Sequence, residues 1–372
     1  MQKTITNQKT HIVAMLAAAA FSAPALAETG NVSVYGKVNV DFESVSNDKV
    51  ATAATTMGQE RIQSNASRFG VKGSAVLGDG LAAVWQLEVQ VDPANGGATP
   101  FNGTRNSHVG LKGDFGTVSM GTWDTPYKLA HNKLELFDNA TIFTATSMVG
   151  RTGHTNTASA TSAAHNVNFN TRQSSVVQYW TPVMSGLQGM IAYSPDVSET
   201  ATANRKRVSL SGTYENDMLY AALAYENRGD HYTVGMNDSA VRVVGAYKFG
   251  DGQVGAMYEH LRAGTAVATE ETQYNWELAA SYKFDKSTLG AFYANNSNLG
   301  TRANTSANMY SLRYGYNYDK RTELYGAYTR LQNDASANYS TLGTTAGTIG
   351  ALAAGTLGTT QTGFGVGIIH SF

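Results

Sequence analysis

Side chains able to make or break bonds are scarce in this chain, and their spacing favours no covalent chemistry. Cysteine is absent, which removes disulfides, thiolate metal sites and a cysteine nucleophile. Beyond the leader described below, the histidines are His108, His131, His154, His165, His231, His260 and His370, with no HExxH or other metal-ligand spacing. No G-x-S-x-G stretch marks a nucleophile turn. A hydrolase would need Ser, His and acid brought together from distant segments. The expectation is therefore no enzyme, no cofactor and no metal. The patterned residues are charges instead. Lys37, Arg68, Lys72 and Lys112 occupy the polar positions of alternating segments, and Lys128, Lys133, Glu135 and Asp138 share one long link. Fixed charges facing each other across water exert a field on passing ions and polar solutes. That chemistry is electrostatic sorting, and it needs a frame to hold the charges.

The first residues are read as a processing signal, not part of that frame. Lys3 and Lys9 precede the apolar run Ile12 to Phe21, and Ala25-Leu26-Ala27 fits an A-x-A cleavage site. Cleavage after Ala27 leaves 372 − 27 = 345 residues, so the expectation is a signal peptide at 1–27 and one domain at 28–372. The apolar run is shorter than the roughly 20 residues a spanning helix needs, and no later run reaches that length. Charged residues make up 15% of the chain, against about 25% in soluble domains. Without Lys3 and Lys9, 25 basic residues stand against 28 acidic ones, a net charge of −3. No nucleic-acid partner follows from so small an imbalance.

Period-two alternation runs through the remaining chain. Val32, Val34, Val38, Val40 and Phe42 alternate with Ser33, Tyr35, Lys37, Asn39 and Asp41. Tyr274, Trp276, Leu278, Ala280, Tyr282 and Phe284 alternate with a polar set holding Gln273, Asn275 and Glu277. Sixteen candidate strands follow: 31–45, 60–76, 80–92, 105–113, 117–124, 172–181, 185–195, 205–215, 217–227, 240–250, 253–262, 273–284, 286–296, 307–318, 321–331 and 362–372. Tight turns such as LGDG (77–80) and FGDG (249–252) alternate with longer links, the longest at 125–171. One charged face needs water, and the greasy face needs something apolar outside. In lipid every backbone group needs an internal partner, so the sheet must close. The fold class expected is all-β: a sixteen-stranded antiparallel transmembrane barrel with short turns at one end and long loops at the other. The final segment, TGFGVGIIHSF, then pairs with the first strand. It carries Phe364, Val366, Ile368 and His370 on one face and Gly363, Gly365 and Gly367 on the other.

Several stretches resemble the Gram-negative general porins, closest to the neisserial and beta-proteobacterial type. They are SVYGKVNVDFE near the mature start, SRFGVKGSAVLGDGLAAVWQLE (67–88), RNSHVGLKGDFGTVSMG (105–121) and the C-terminal GFGVGIIHSF. The resemblance implies an outer-membrane channel for passive diffusion of ions and small hydrophilic solutes, assembled as a homotrimer among lipid and lipopolysaccharide. It implies that the third loop, about 125–171, folds inward to form a constriction. It implies an assembly signal at Phe372 read by the barrel-assembly machinery. It also places Arg68 on a basic constriction wall, and the alternation puts Lys37 and Lys72 on the same luminal side. Arg105 resembles a further basic residue of that wall, although parity with Val109 and Leu111 points it outward unless a bulge intervenes. Glu135 and Asp138 are expected on the facing loop. Where many relatives carry Gly-Arg, this chain has Gly121-Thr122-Trp123-Asp124, so Asp124 adds an acid near a missing base. Two other readings of the frame are a plugged structural or adhesive barrel and a substrate-selective channel. The latter would show an aromatic track, for which inward Tyr35 and Tyr325 are few.

Overall fold

The computed structural model describes residues 31–49, 58–94, 101–152, 167–231, 234–264, 270–341 and 357–372. The expected leader at 1–27 lies outside them, as do parts of the links at 125–171 and 332–361. Before the third loop come β1 (Asn31–Asn47), β2 (Gly58–Ser64), β3 (Arg68–Gly78), β4 (Leu81–Val91), β5 (Phe101–Thr104), β6 (Ser107–Gly113) and β7 (Gly116–Asp124). After it come β8 (Arg172–Trp180), β9 (Leu187–Ser194), β10 (Arg207–Glu215), β11 (Leu219–Gly229), β12 (Asn237–Phe249) and β13 (Gly252–Gly264). β14 (Glu270–Phe284), β15 (Ser287–Asn296), β16 (Ala307–Asn317), β17 (Thr322–Asn333) and β18 (Thr360–Ser371) complete the sheet. β2 and β3 both pair with β1, and β5 and β6 both pair with β4, so eighteen segments build sixteen spanning strands.

All neighbours are antiparallel, and β18 pairs with both β17 and β1, with Val40 opposite Ile368. Closure leaves no edge, as lipid requires. The chain end is tied to β1: Gly36 N donates to Phe372 O at 3.0 Å, and Phe372 N donates to Gly36 O at 3.1 Å. The outer face is apolar and uncovered, with Val32 61%, Leu278 54% and Phe364 51% exposed. In water such a surface would be unfavourable by about 25 cal/mol per Å²; facing acyl chains it needs no other cover. Aromatic rows mark the strand ends, where Tyr247 stacks with Phe249 and His260 with Tyr274.

The two interruptions are positional devices. Opposite β1, Ser64 faces Val40, whereas Arg68 faces Lys37, a shift of one residue across Asn65–Ser67. A bulge of this kind flips every later side chain to the other face. Ile62 faces outward before it, so Arg68, six residues on, would also face lipid without it; after the bulge Arg68 faces inward. A similar irregularity brackets Arg105 between β5 and β6, where Arg105 N donates to Glu88 O at 2.8 Å. The outward parity of Val109 and Leu111 therefore does not extend to Arg105, and its side chain reaches Glu88 inside.

Inside the barrel the third loop supplies a hydrophobic core. It opens with α1 (Pro126–Leu129), capped by the Thr125 side chain, and later makes a 3-10 turn at Ala145–Ser147. Tyr127, Leu134, Ile142, Phe143, Met148 and Phe169 are buried against the inward face of the wall. That face is small there: Ala222, Ala224, Ala279, Ala294 and Ala327 are all buried. The glycines of β18 belong to the same bed. A Cβ on Gly363 would stand 2.7 Å from Ile142 Cδ1, and one on Gly365 2.8 Å from Phe143 Cζ. A Gly365→Leu variant should therefore fold as a barrel but displace the loop, at an overpacking cost of about 1–3 kcal/mol. The check is single-channel conductance beside heat-modifiable gel mobility. Unchanged conductance would mean that the loop does not depend on this bed.

Candidate functional site

The loop is clamped to the wall by a buried ion pair. Arg242 on β12 and Glu259 on β13 have fully buried side chains, with NH2 to Oε2 at 2.7 Å and Nε to Oε2 at 2.9 Å. Glu259 also accepts from Tyr127 Oη at 2.7 Å, from Asn275 Nδ2 at 2.8 Å and from Gly150 N. Arg242 lies 4.1 Å from the Tyr127 ring centroid and donates to Asn170 Oδ1 at 2.9 Å. One ion pair thus holds the start of the loop at Tyr127, its return limb at Gly150 and its end at Asn170. His131 Nε2 and Glu277 Oε2 meet at 2.6 Å, and Ser311 Oγ donates to Phe143 O at 2.8 Å. None of these wall residues was singled out from sequence, where each is one more polar residue on an inward row. The available signal was the presence of opposite charges at neighbouring inward positions of adjacent strands.

Clamped in this way, the loop carries its tip across the lumen to β1 and β3. Asp138 Oδ2 accepts from Arg68 NH1 at 2.9 Å and from Lys37 Nζ. Arg68 Nε lies 4.0 Å from Glu88 Oε2, and Arg105 Nε donates to Glu88 Oε1 at 2.7 Å. Asp124, at the end of β7, accepts from Lys128 Nζ at 2.8 Å and from Asn106 Nδ2 at 3.0 Å, and lies 3.3 Å from Arg172 NH2. Five cations, Lys37, Arg68, Arg105, Lys128 and Arg172, thus interleave with three carboxylates, Glu88, Asp124 and Asp138. Beside this ladder lies a polar cavity of about 910 Å³ lined by Arg68, Glu88, Arg105, Asp124, Asp138 and Arg172, among others.

Not every expected residue joins the ladder. Glu135 is turned back into its own loop, accepting from Thr144 Oγ1 at 2.7 Å and Phe137 N at 2.8 Å, so it makes no contact with the basic wall. Burial pushes its carboxyl up, opposed by His131 and the Thr144 hydroxyl. Lys72 stands away from the tip, its Nζ 5.1 Å from the Tyr35 ring centroid. Tyr35 itself donates to Glu88 Oε2 at 3.0 Å, and Tyr325 to Asp41 Oδ2 at 2.9 Å, so both inward tyrosines serve the wall. Arg172 was missed in sequence: it opens β8 directly after the long loop, and only the fold brings it beside Asp124.

Burial alone would raise the Asp138 carboxyl, but the Lys37 ammonium and Arg68 guanidinium override it and hold it below the usual carboxylate range. A depressed group keeps its contact above its free value, near about 3.9 for aspartate, and loses it as pH falls through the lower one. The difference in reversal potential between wild type and Asp138→Asn should therefore persist down to about pH 4 and vanish only below it. Half-loss of that difference at or above the free value of about 3.9 would mean that the pairing is absent.

The chain resembles proteins of known kind over most of its length. The family described as Gram-negative porin matches residues 14–336. Outer membrane porin protein 32 of Delftia acidovorans is 29% identical over 363 residues, covering 96% of this chain and 98% of the relative. The major outer membrane protein P.IA of Neisseria meningitidis serogroup B is 28% identical over 256 residues, covering 63% of this chain and 60% of the relative. Among solved structures, the anion-selective porin from Comamonas acidovorans superposes with a TM-score of 0.72 at 24% identity, covering 92% of this chain and all of the other. Salmonella typhi OmpF, in complex with daunomycin, gives 0.61 at 18% identity, with 92% of this chain and 98% of that one covered. With its closed sixteen-stranded barrel and inward loop, the chain belongs to the Gram-negative porin family: it is an outer-membrane channel, not an enzyme.

Proposed function

We propose that this porin passes small ions and hydrophilic solutes with a weak preference for anions, sorted at the point where the third loop meets β1 and β3. The observation that carries this reading is the ladder itself, in which five cations stand against three carboxylates. Arg151, Asp92 and Glu135 also line the cavity beside it, which brings the count to six against five and keeps the preference weak. Asp138 and Asp124 each sit against two cations, so their fields are largely cancelled where an ion passes. The structural neighbour from Comamonas acidovorans is an anion-selective porin, which agrees with this direction.

A homotrimer is the assembly we favour, and a trimer form of Vibrio cholerae OmpT is among the structural neighbours. Phe372, held to Gly36 at the seam of the sheet, is proposed as the assembly signal. The purified protein in a planar bilayer tests the reading as a whole. Current should rise in ohmic steps, grouped in threes if each copy of a trimer carries its own pore. Folded, heat-modifiable protein that inserts without conducting would instead indicate a plugged barrel.

A further inference from the structure

One basic residue on the cavity surface has no acidic counterpart among the described residues. Arg151 follows Gly150 on the return limb of the third loop, bridged through its backbone to Asn168. Asn296 Nδ2 donates to its carbonyl at 3.3 Å, and its own Nε donates to Thr146 O at 2.9 Å. Arg151, Asn168 and Thr146 all line the cavity that also contains the ladder. Arg68, Arg105 and Arg172 each reach a carboxylate. No described carboxylate pairs with Arg151, and the sequence from Asn139 to Pro195 contains no Asp or Glu at all. Burial pulls its guanidinium down to about 10, with no neighbouring charge to restore it, so it remains protonated at neutral pH. The Asn168 side-chain oxygen Oδ1 accepts from Asn170 N at 2.9 Å, and its Nδ2 has no described acceptor.

A desolvated cation without a counter-charge is costly unless an anion visits it. A guanidinium fork matches the paired oxygens of a carboxylate or phosphate better than it matches a chloride ion. We propose that Arg151, with Asn168 beside it, is a separate oxyanion-binding subsite on the return limb of the loop. It holds carboxylate- or phosphate-bearing solutes apart from the ladder of paired charges. This rests on the pore reading above and adds the solute class.

Inorganic phosphate is the probe. Added to one chamber of a planar bilayer in KCl at neutral pH, it should reduce open-channel current saturably in the wild type. Arg151→Gln should need about tenfold more phosphate for half block, as expected for loss of a charge-assisted bidentate contact. Arg151→Lys, a point charge without the fork, should fall between the two. Conductance in KCl alone shows that each variant is folded and open. Equal block of wild type and Arg151→Gln, or no saturable block of the wild type, overturns the subsite. Absence of channels in every protein, the wild type included, overturns the pore reading and the subsite with it.

Discussion

Arg242→Ala should free the third loop while leaving the barrel closed. The substitution strands the Glu259 carboxylate in a fully buried position and removes the donor to Asn170 and the cation over Tyr127. Breaking one partner of a buried pair costs roughly 3–5 kcal/mol. At about 1.4 kcal/mol per tenfold, that shifts the docked fraction of the loop by a factor of a hundred to a few thousand. The loss falls on the loop because the strand ladders of β12 and β13 do not depend on these side chains. Heat-modifiable mobility should therefore survive, while open-channel current becomes larger and noisier. Glu259→Leu should act in the same direction. The double variant should cost less than the two single changes together, since neither charge is then left alone. A quiet channel of wild-type conductance in Arg242→Ala would show that the loop is held by its apolar core alone.

Asp138→Asn should shift ion preference more than any other single change on the ladder. It removes the one carboxylate that the loop presents to Lys37 and Arg68, and frees both cations to face the lumen. For an ion passing about 4 Å away in water-like surroundings, one unit charge amounts to about 1 kcal/mol, or roughly fivefold in relative permeability. Salt screens this over about 10 Å at 0.1 M, so the effect should shrink as KCl is raised. The measurement is reversal potential under a KCl gradient, compared with wild type at the same concentrations. A shift toward cations, or none, would mean that Asp138 does not set the field at the tip. Arg68→Ala should move the potential the opposite way.

Alternation made the frame legible. Leu278, Phe364 and their rows read as outward from sequence and are exposed, and sixteen strands were countable because short turns and long links alternate. Parity failed where the backbone stops being periodic. The irregularity around Arg105 turns inward a residue whose neighbours point out, and no residue type at Thr104–Asn106 announces it. The loop was legible in part. Its apolar residues suggested packing, but not that Glu135 would turn onto Thr144 while Asp138, three residues on, crosses to β1. That choice depends on where the tip is held, and hence on Arg242 and Glu259 more than one hundred residues away. The small face of the last strand had its reason in the same place. Gly363 and Gly365 are small because Ile142 and Phe143 lie against them.

The most direct test of the account is the zero-current potential of the wild-type channel at pH 7 under a tenfold KCl gradient. The excess of cations in the ladder predicts a potential of the sign set by chloride, small in size and declining further at high salt. A potential of the sign set by potassium, or one of zero at low salt, would contradict it, because the paired carboxylates would then match or outweigh Lys37, Arg68, Arg105, Lys128 and Arg172.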